Sequence, residues 1–433
     1  MSSFSLFARR SFLPLFVAQF LGAFNGNLFK NATIVLILYQ LARDQLAGGK
    51  VMATAAVGLF VLPFFLFSAT AGQIADRFDK ARVIRWTKLF EIAAAVLGVV
   101  ALALAMPSLL LATLFLLGCQ AALFGPVKYG ILPDLLMPQE LLSANGLIEA
   151  GTFLAILAGT LIGSLFVTAD GGILAVQVLV LASAVAGWAA SLAVPAAQAR
   201  DPDLAIRWNI VTETAGLIAG VRRIPALTST IFGVSWFWLV GATYLTQFPA
   251  FAHDVLHSGP SVVSLFLGMF SVGISVGSLI CQRLFHGRAS LRFAPLGALG
   301  MALFGLDFAW SATPIPGDGD AGIAAFLATA GSWRLLADLF ATAVFAGVYV
   351  VPLYTLMQQD ADPAHRARVI AANNVVNACF MTTAAAAAGL LLAAGLGVSG
   401  LLALVAAANL AVATATWLRH QRNGAAEVIK KSV

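Results

Sequence analysis

The chain of 433 residues is 60% hydrophobic and only 10% charged, with a mean hydropathy of +0.92, values that exclude a soluble globular protein. Its net charge of +6 would suit a nucleic-acid partner, but the basic residues are strung between apolar runs, so the charge reports membrane topology and no nucleic acid is implied. Cys119, Cys281 and Cys379 all lie inside apolar segments, which excludes a disulfide framework and a metal-ligand set.

At roughly 20 residues per spanning helix the length accommodates about twelve helices and no large soluble domain. Backbone groups in lipid must be satisfied internally, and apolar runs this long and uniform mean helices, not barrel strands. The predicted spans are 11–40, 52–75, 83–106, 108–132, 144–168, 173–195, 229–252, 262–284, 290–312, 333–357, 370–394 and 398–418. The fold class is therefore an all-α membrane protein with twelve transmembrane helices. Ahead of the first span, Arg9 and Arg10 have the look of a twin-arginine export signal. No folded cargo follows, no small-residue cleavage site is present and Lys30 interrupts the apolar run, so the pair is expected to hold the start of the first helix in the cytoplasm.

Within that first helix Asn25, Asn27, Lys30 and Asn31 interrupt an otherwise apolar stretch. A charged side chain at mid-bilayer costs ~2.5–3.5 kcal/mol on insertion scales, so this face points into protein or a water-filled path. Two readings stand: the amides hydrogen-bond neighbouring helices, or the group lines a path for the polar part of a substrate. Lys30 has no acidic partner in its own helix, so it shifts its pKa, finds a partner on another helix or awaits an anionic ligand such as a phosphate.

The second helix ends in Gly72, Asp76 and Arg77, followed by Asp79, Lys80 and Arg82. A small Gly permits close helix approach, and Asp76 beside it is placed to cap or pair at a gate that opens and recloses. Gly72, Asp76, Arg77 and Arg82 read either as gating residues or as a turn whose charges only satisfy the positive-inside rule. In the third helix Lys88 and Glu91, and in the tenth Arg334 and Asp338, have the spacing of local ion pairs, while Asp307 is expected near the outer surface. Lys128 in the fourth helix and Glu149 in the fifth fall at matching depths. They form either a structural pair or a headgroup-binding or gating station.

The longest polar connection separates six helices (1–195) from six (229–433). Residues 196–228 mix Trp208, Ile210, Val211, Leu217 and Ile218 with Arg207, Glu213, Arg222 and Arg223, which reads as either an amphipathic interfacial helix or a solvated linker. If the N-terminus is inside, 19 of the 25 basic residues fall on the cytoplasmic side, among them Arg283, Arg288, Arg419, Arg422, Lys430 and Lys431. Only Arg43, Lys50 and Arg334 fall outside, so both termini are expected in the cytoplasm. Internal repetition supports two pseudo-symmetric six-helix bundles: Gly72 with its basic tail is echoed by Gly277 with Arg283 and Arg288, and Pro126 with Asn145 by Pro352 with Asn373.

The stretch from Gly72 to Arg82 resembles the signature loop of the major facilitator superfamily, G-x-L-x-D-R-x-G-R-(K/R), with Asp79 where the family usually has Gly. A narrower likeness lies in Val17 to Asn31, in Phe124-Gly-Pro-Val-Lys-Tyr-Gly-Ile-Leu-Pro-Asp134 and in Leu142 to Glu149. These are similar to the lysophospholipid transporter family, and more so to the transporter half of bacterial transporter–acyltransferase fusions. The resemblance implies a flippase of the bacterial inner membrane, working by alternating access. It would move lysophosphatidylethanolamine and related one-tailed lipids for re-acylation in the cytoplasmic leaflet. It also implies the lipid bilayer and a lysophospholipid acyltransferase as partners, and no cofactor. Family members commonly carry an Asp at the position of Gly26, and some an Arg near Leu245, so cation coupling through those positions has no residue to rest on here.

The fold equally allows a drug or small-metabolite exporter. The acyltransferase reaction itself is not expected: in the fused family that chemistry uses His with Asp five positions later, and His253, His257, His286, His365 and His420 are followed at that distance by Ser258, Val262, Leu291, Ile370 and Ala425. A nucleophile elbow and a phosphate-cradling loop are also missing.

Overall fold

The structure, a computed structural model, describes residues 3–41, 46–287, 289–315 and 321–432. Arg43 and Arg288 lie outside the described residues, as do the side chains of Lys50, Arg419, Arg422, Lys430 and Lys431. Twelve of the described helices are long and apolar enough to cross a membrane: α1 Leu13–Tyr39, α2 Val51–Arg77, α3 Lys80–Leu104, α4 Pro107–Leu135, α5 Pro138–Phe166, α6 Gly172–Leu192, α7 Pro225–Val255, α8 Pro260–Leu284, α9 Leu291–Trp310, α10 Ala330–Asp360, α11 Arg366–Ala393 and α12 Val398–Leu418. No strand occurs among the described residues, where β pairing is limited to one isolated bridge between Ser258 and Ala321.

The helices coincide with the apolar runs of the sequence and extend a few residues past several of them, for a local reason at each end. At α3 the carboxylate of Asp79 accepts the backbone N–H of Arg82 at 2.8 Å, so the helix starts at Lys80, ahead of the apolar run. Pro107 and Pro260 open α4 and α8, where a missing N–H loses nothing. Pro126 and Pro352 sit inside α4 and α10, at corresponding places of the repeat read from the sequence.

Contacts divide the chain into two units. The first comprises Met1–Ala144, Leu154–Ile231 and Met357–Ala378; the second comprises Asn145–Phe153, Phe232–Leu356 and Cys379–Val433. The core of the first is an aliphatic cluster of Leu28, Phe29, Leu36, Leu114, Val176 and neighbours. Here α1 and α5 run in backbone contact, because a Cβ on Gly163 would collide with the Leu28 carbonyl oxygen. Without a hydrophobic drive between helices in lipid, such close van der Waals packing is what holds them together.

The second unit has an aromatic core in which Tyr244, Phe248, Phe251, Phe266, Phe270 and Phe308 touch through stacked and edge contacts. The polar connection contains a helix over Ile210–Arg222, whose N-cap Asn209 accepts the Thr212 N–H at 3.1 Å.

Candidate substrate site and gate

Two polar constellations stand out in the first unit. One runs along α1. Lys30 Nζ donates to Asn27 Oδ1 at 2.9 Å and lies 5.4 Å from the ring centre of Phe60 on α2. Asn31 donates to the Asn27 carbonyl at 2.8 Å and to Thr160 Oγ1 on α5 at 3.1 Å, while Asn27 donates back to the Ala23 carbonyl at 2.8 Å. Asn27, Lys30 and Asn31 thus share one half-buried face. No carboxylate pairs with Lys30 among the described residues, and two of its three N–H donors remain for another acceptor.

Asn25 is not part of that face. It is fully buried and its amide donates to the Val180 carbonyl at 2.5 Å and to Ser183 Oγ at 2.9 Å, tying α1 to α6. Two residues along a helix lie about 200° apart, so Asn25 and Asn27 serve opposite sides of α1.

The second constellation joins the ends of α2, α4 and α11. Asp76, with no exposed surface, accepts the backbone N–H groups of Ala367 at 3.1 Å and Arg368 at 3.3 Å and the Arg368 Nε at 3.0 Å. The first-turn N–H groups of a helix have no partners inside it, and the helix dipole makes that end positive. Asp76 is therefore a cap for α11 supplied by another helix. Arg368 continues to Asp201 at 2.8 Å, and the Asp76 carbonyl accepts the N–H groups of Arg200 and Asp201. Beside it Asp134 gathers Lys80 at 3.0 Å, Arg200 at 2.6 Å and Arg366 at 3.7 Å. The turn before α11 is itself held, since Asp362 accepts the Ala364 N–H at 3.1 Å and contacts His365 Nδ1 at 3.0 Å. Those contacts keep the Asp362 carboxyl below the usual carboxylate range.

Gly72 explains how α2 and α11 come so near. A Cβ there would meet the Ala371 Cβ at 2.8 Å and the Arg368 Cα at 2.9 Å. Arg77 stacks on the ring of Phe78, 5.4 Å from its centre, and Arg82 is exposed with its backbone N–H on Asp79. Neither Arg77 nor Arg82 makes an ion pair among the described residues. The partners of Asp76 come instead from Arg368 and the α11 backbone. The signal that would have pointed to Asp134 is its place at the end of the quoted Phe124–Asp134 segment. Arg366 and Arg368 have no spacing in the sequence that marks Asp76 or Asp134 as their partners.

Lys128 is half-buried with Nζ 4.5 Å from the ring centre of Tyr129, in the first unit. Glu149 is fully buried and belongs to the second. Of the local pairs expected from spacing, Lys88–Glu91 forms at 2.8 Å with both side chains buried. Arg334 does not pair with Asp338. It reaches the half-exposed Asp307 at the end of α9 with Nη2 at 2.5 Å and Nε at 3.0 Å, because that carboxylate offers both oxygens to the guanidinium fork while Asp338 is buried. Phe237, Tyr244 and Phe248 are buried, and the Trp236 and Trp238 indoles donate to Asn409 Oδ1 and the Tyr354 hydroxyl. These aromatics pack helices together.

The chain matches the Major Facilitator Superfamily over residues 15–376. It is 30% identical over 358 residues to the lysophospholipid transporter LplT of Serratia proteamaculans, covering 81% of this chain and 80% of that protein. It belongs to the lysophospholipid transporter family of the major facilitator superfamily. The LplT of Escherichia coli O1:K1 is 28% identical over 347 residues, covering 79% of each chain. Among solved structures, the fucose:proton symporter FucP of E. coli superposes with a TM-score of 0.65 at 13% identity, over 95% of this chain and 99% of that one. A bacterial homologue of the iron transporter ferroportin gives 0.67 at 16%, over 94% and 99%. At those identities the likeness shows the major facilitator fold alone.

This member of the major facilitator superfamily is thus a multi-pass membrane protein. Gly26 is buried, and a Cβ there would lie 3.5 Å from the ring of Phe60.

Proposed function

We propose that the protein is a flippase that moves lysophosphatidylethanolamine and related one-tailed lipids across the bacterial inner membrane by alternating access, so that an acyltransferase can restore the second chain in the cytoplasmic leaflet. The observation that carries this reading is Lys30, a half-buried cation with no carboxylate partner among the described residues, flanked by Asn27, Asn31 and Thr160. A one-tailed phospholipid brings a phosphate and an acyl chain. Each buried methylene contributes ~0.8 kcal/mol, so the tail binds well in any apolar setting and the protein has chiefly to satisfy the headgroup. Lys30 supplies the charge and the amides supply donors and acceptors. Lys128 and Glu149 each add a further charge to this reading.

In this reading both termini and the α2–α3 turn face the cytoplasm, as the distribution of Arg and Lys favours. The Asp76 cap on α11 is then a cytoplasmic gate. It opens when the carboxylate leaves the helix end and reforms when Gly72 again meets Ala371. Charge and backbone donors together make such a contact stable, and its small number of bonds makes it reversible.

The test is flipping of fluorescent lysophosphatidylethanolamine in proteoliposomes, with Lys30→Ala and Lys128→Ala measured against the amount of folded protein. Loss of flipping at unchanged folded yield supports the reading. Parental flipping by both well-folded variants, or transport of soluble drugs in place of lysolipid, overturns it.

A further inference from the structure

We propose that the helix Ile210–Arg222 holds an anionic two-tailed phospholipid of the surrounding bilayer, with one acyl tail against α2 and the phosphate on Arg222. A groove of about 700 Å³ opens between this helix and Phe65 of α2, walled by Ile210, Thr214, Ile218 and Ala219, with Arg222 as the charged residue of its lining. The floor belongs to a membrane-spanning helix, so the occupant is apolar along its length and anionic at one end. That is the chemistry of a phospholipid.

Two further observations select the kind of lipid. Arg222 and Arg223 are both exposed and pair with no carboxylate among the described residues. Glu213 is engaged elsewhere, with Arg207 at 3.9 Å and Gln73 at 3.4 Å. The ammonium of a zwitterionic head would meet this Arg pair unfavourably, whereas a net negative head gains attraction from each cation near the surface. The groove is also open along its side, where Val211 is 77% exposed, so a second tail remains in the bilayer. Trp208, 72% exposed just ahead of the helix, is the residue type that anchors at the headgroup level. The one-tailed substrate needs none of these features, and this site stands or falls independently of the flippase reading.

The experiment uses the full-length protein in phosphatidylcholine nanodiscs carrying a few per cent of phosphatidylglycerol or phosphatidylcholine with a diazirine on one tail. After irradiation, labelled peptides are mapped by mass spectrometry. The phosphatidylglycerol probe is expected to label the 210–222 segment and the α2 segment around Phe65, and to exceed the phosphatidylcholine probe. Arg222→Gln should lower that labelling about fivefold while Arg222→Lys retains it. Ala219→Trp, which fills the groove and keeps the charge, should also lower it. In the unmodified protein the excess over phosphatidylcholine should shrink as salt rises, a readout that needs no variant. Equal labelling by both probes, no effect of salt, or displacement of the label by equimolar lysophosphatidylethanolamine would overturn the proposal.

Discussion

Arg368 donates to Asp76 from two positions, its backbone N–H at 3.3 Å and its Nε at 3.0 Å, so one residue of α11 meets the carboxylate both as helix terminus and as cation. The Ala367 N–H adds a third bond at 3.1 Å. A single buried oxygen pair thereby satisfies donors that the helix cannot satisfy itself, which makes the contact dependent on charge as well as on shape.

Asp76→Asn keeps the size and one acceptor but loses the charge and gains an N–H that faces other N–H groups. Each hydrogen bond to a charged group contributes ~1.5–3 kcal/mol, so the α2–α11 contact should weaken by that order. Disulfide cross-linking between cysteines introduced on α2 and α11, in a background without Cys379, measures it. Parental cross-linking in the variant would refute the role of the cap.

Gly72→Val tests the close approach without touching charge. Its added methyl groups have no room against Ala371 and the Arg368 backbone. Overpacking of this kind destabilises by ~1–3 kcal/mol, and Ala371→Gly in the same chain should recover part of it. The same cross-linking assay reads both. If Gly72→Val cross-links as the parent does, the separation of the helices does not depend on this position.

Lys30→Ala should reduce lysophosphatidylethanolamine flipping by about tenfold or more at unchanged folded yield, the loss expected for one charge-assisted contact to phosphate. Lys30→Arg should retain a measurable part, since the charge stays while the geometry changes. Equal rates for all three proteins would remove Lys30 from the site.

The Lys88–Glu91 pair is predicted to be structural. Glu91→Gln leaves the Lys88 ammonium buried without its counter-charge and should destabilise by ~3–5 kcal/mol, seen as a lower thermal midpoint in detergent. The double variant Lys88→Met, Glu91→Met removes both charges and should recover most of that loss. A double variant as unstable as the single one would show that the pair contributes more than mutual neutralisation.

Much of the molecule is legible in its residues because the bilayer leaves few choices. Lipid demands that backbone groups be satisfied within each segment, so apolar runs of the right length are helices, and twelve runs give twelve spans. A Lys beside three Asn in one run is equally visible, since the cost of burying such groups sets them apart from the leucines around them. The sequence also marks Gly72 and Asp76 through their spacing.

What it does not contain is direction across helices. That Asn25 turns to Ser183 and Val180 while Asn27 and Asn31 turn toward Lys30 and Thr160 depends on which neighbours pack against each side of α1. Arg334 prefers Asp307, 27 positions away, to Asp338 four positions away, because the exposed carboxylate accepts both arms of the guanidinium. Likewise the partner of Asp76 is Arg368, nearly 300 residues further along the chain, brought within reach where two helix backbones meet at a glycine. Periodicity and insertion energy are properties of single segments and determine which stretches cross the membrane and which of them carry polar groups. The pairing of those groups is decided only when the helices pack, because an ion pair or a cap depends on distances between atoms that chain order does not specify.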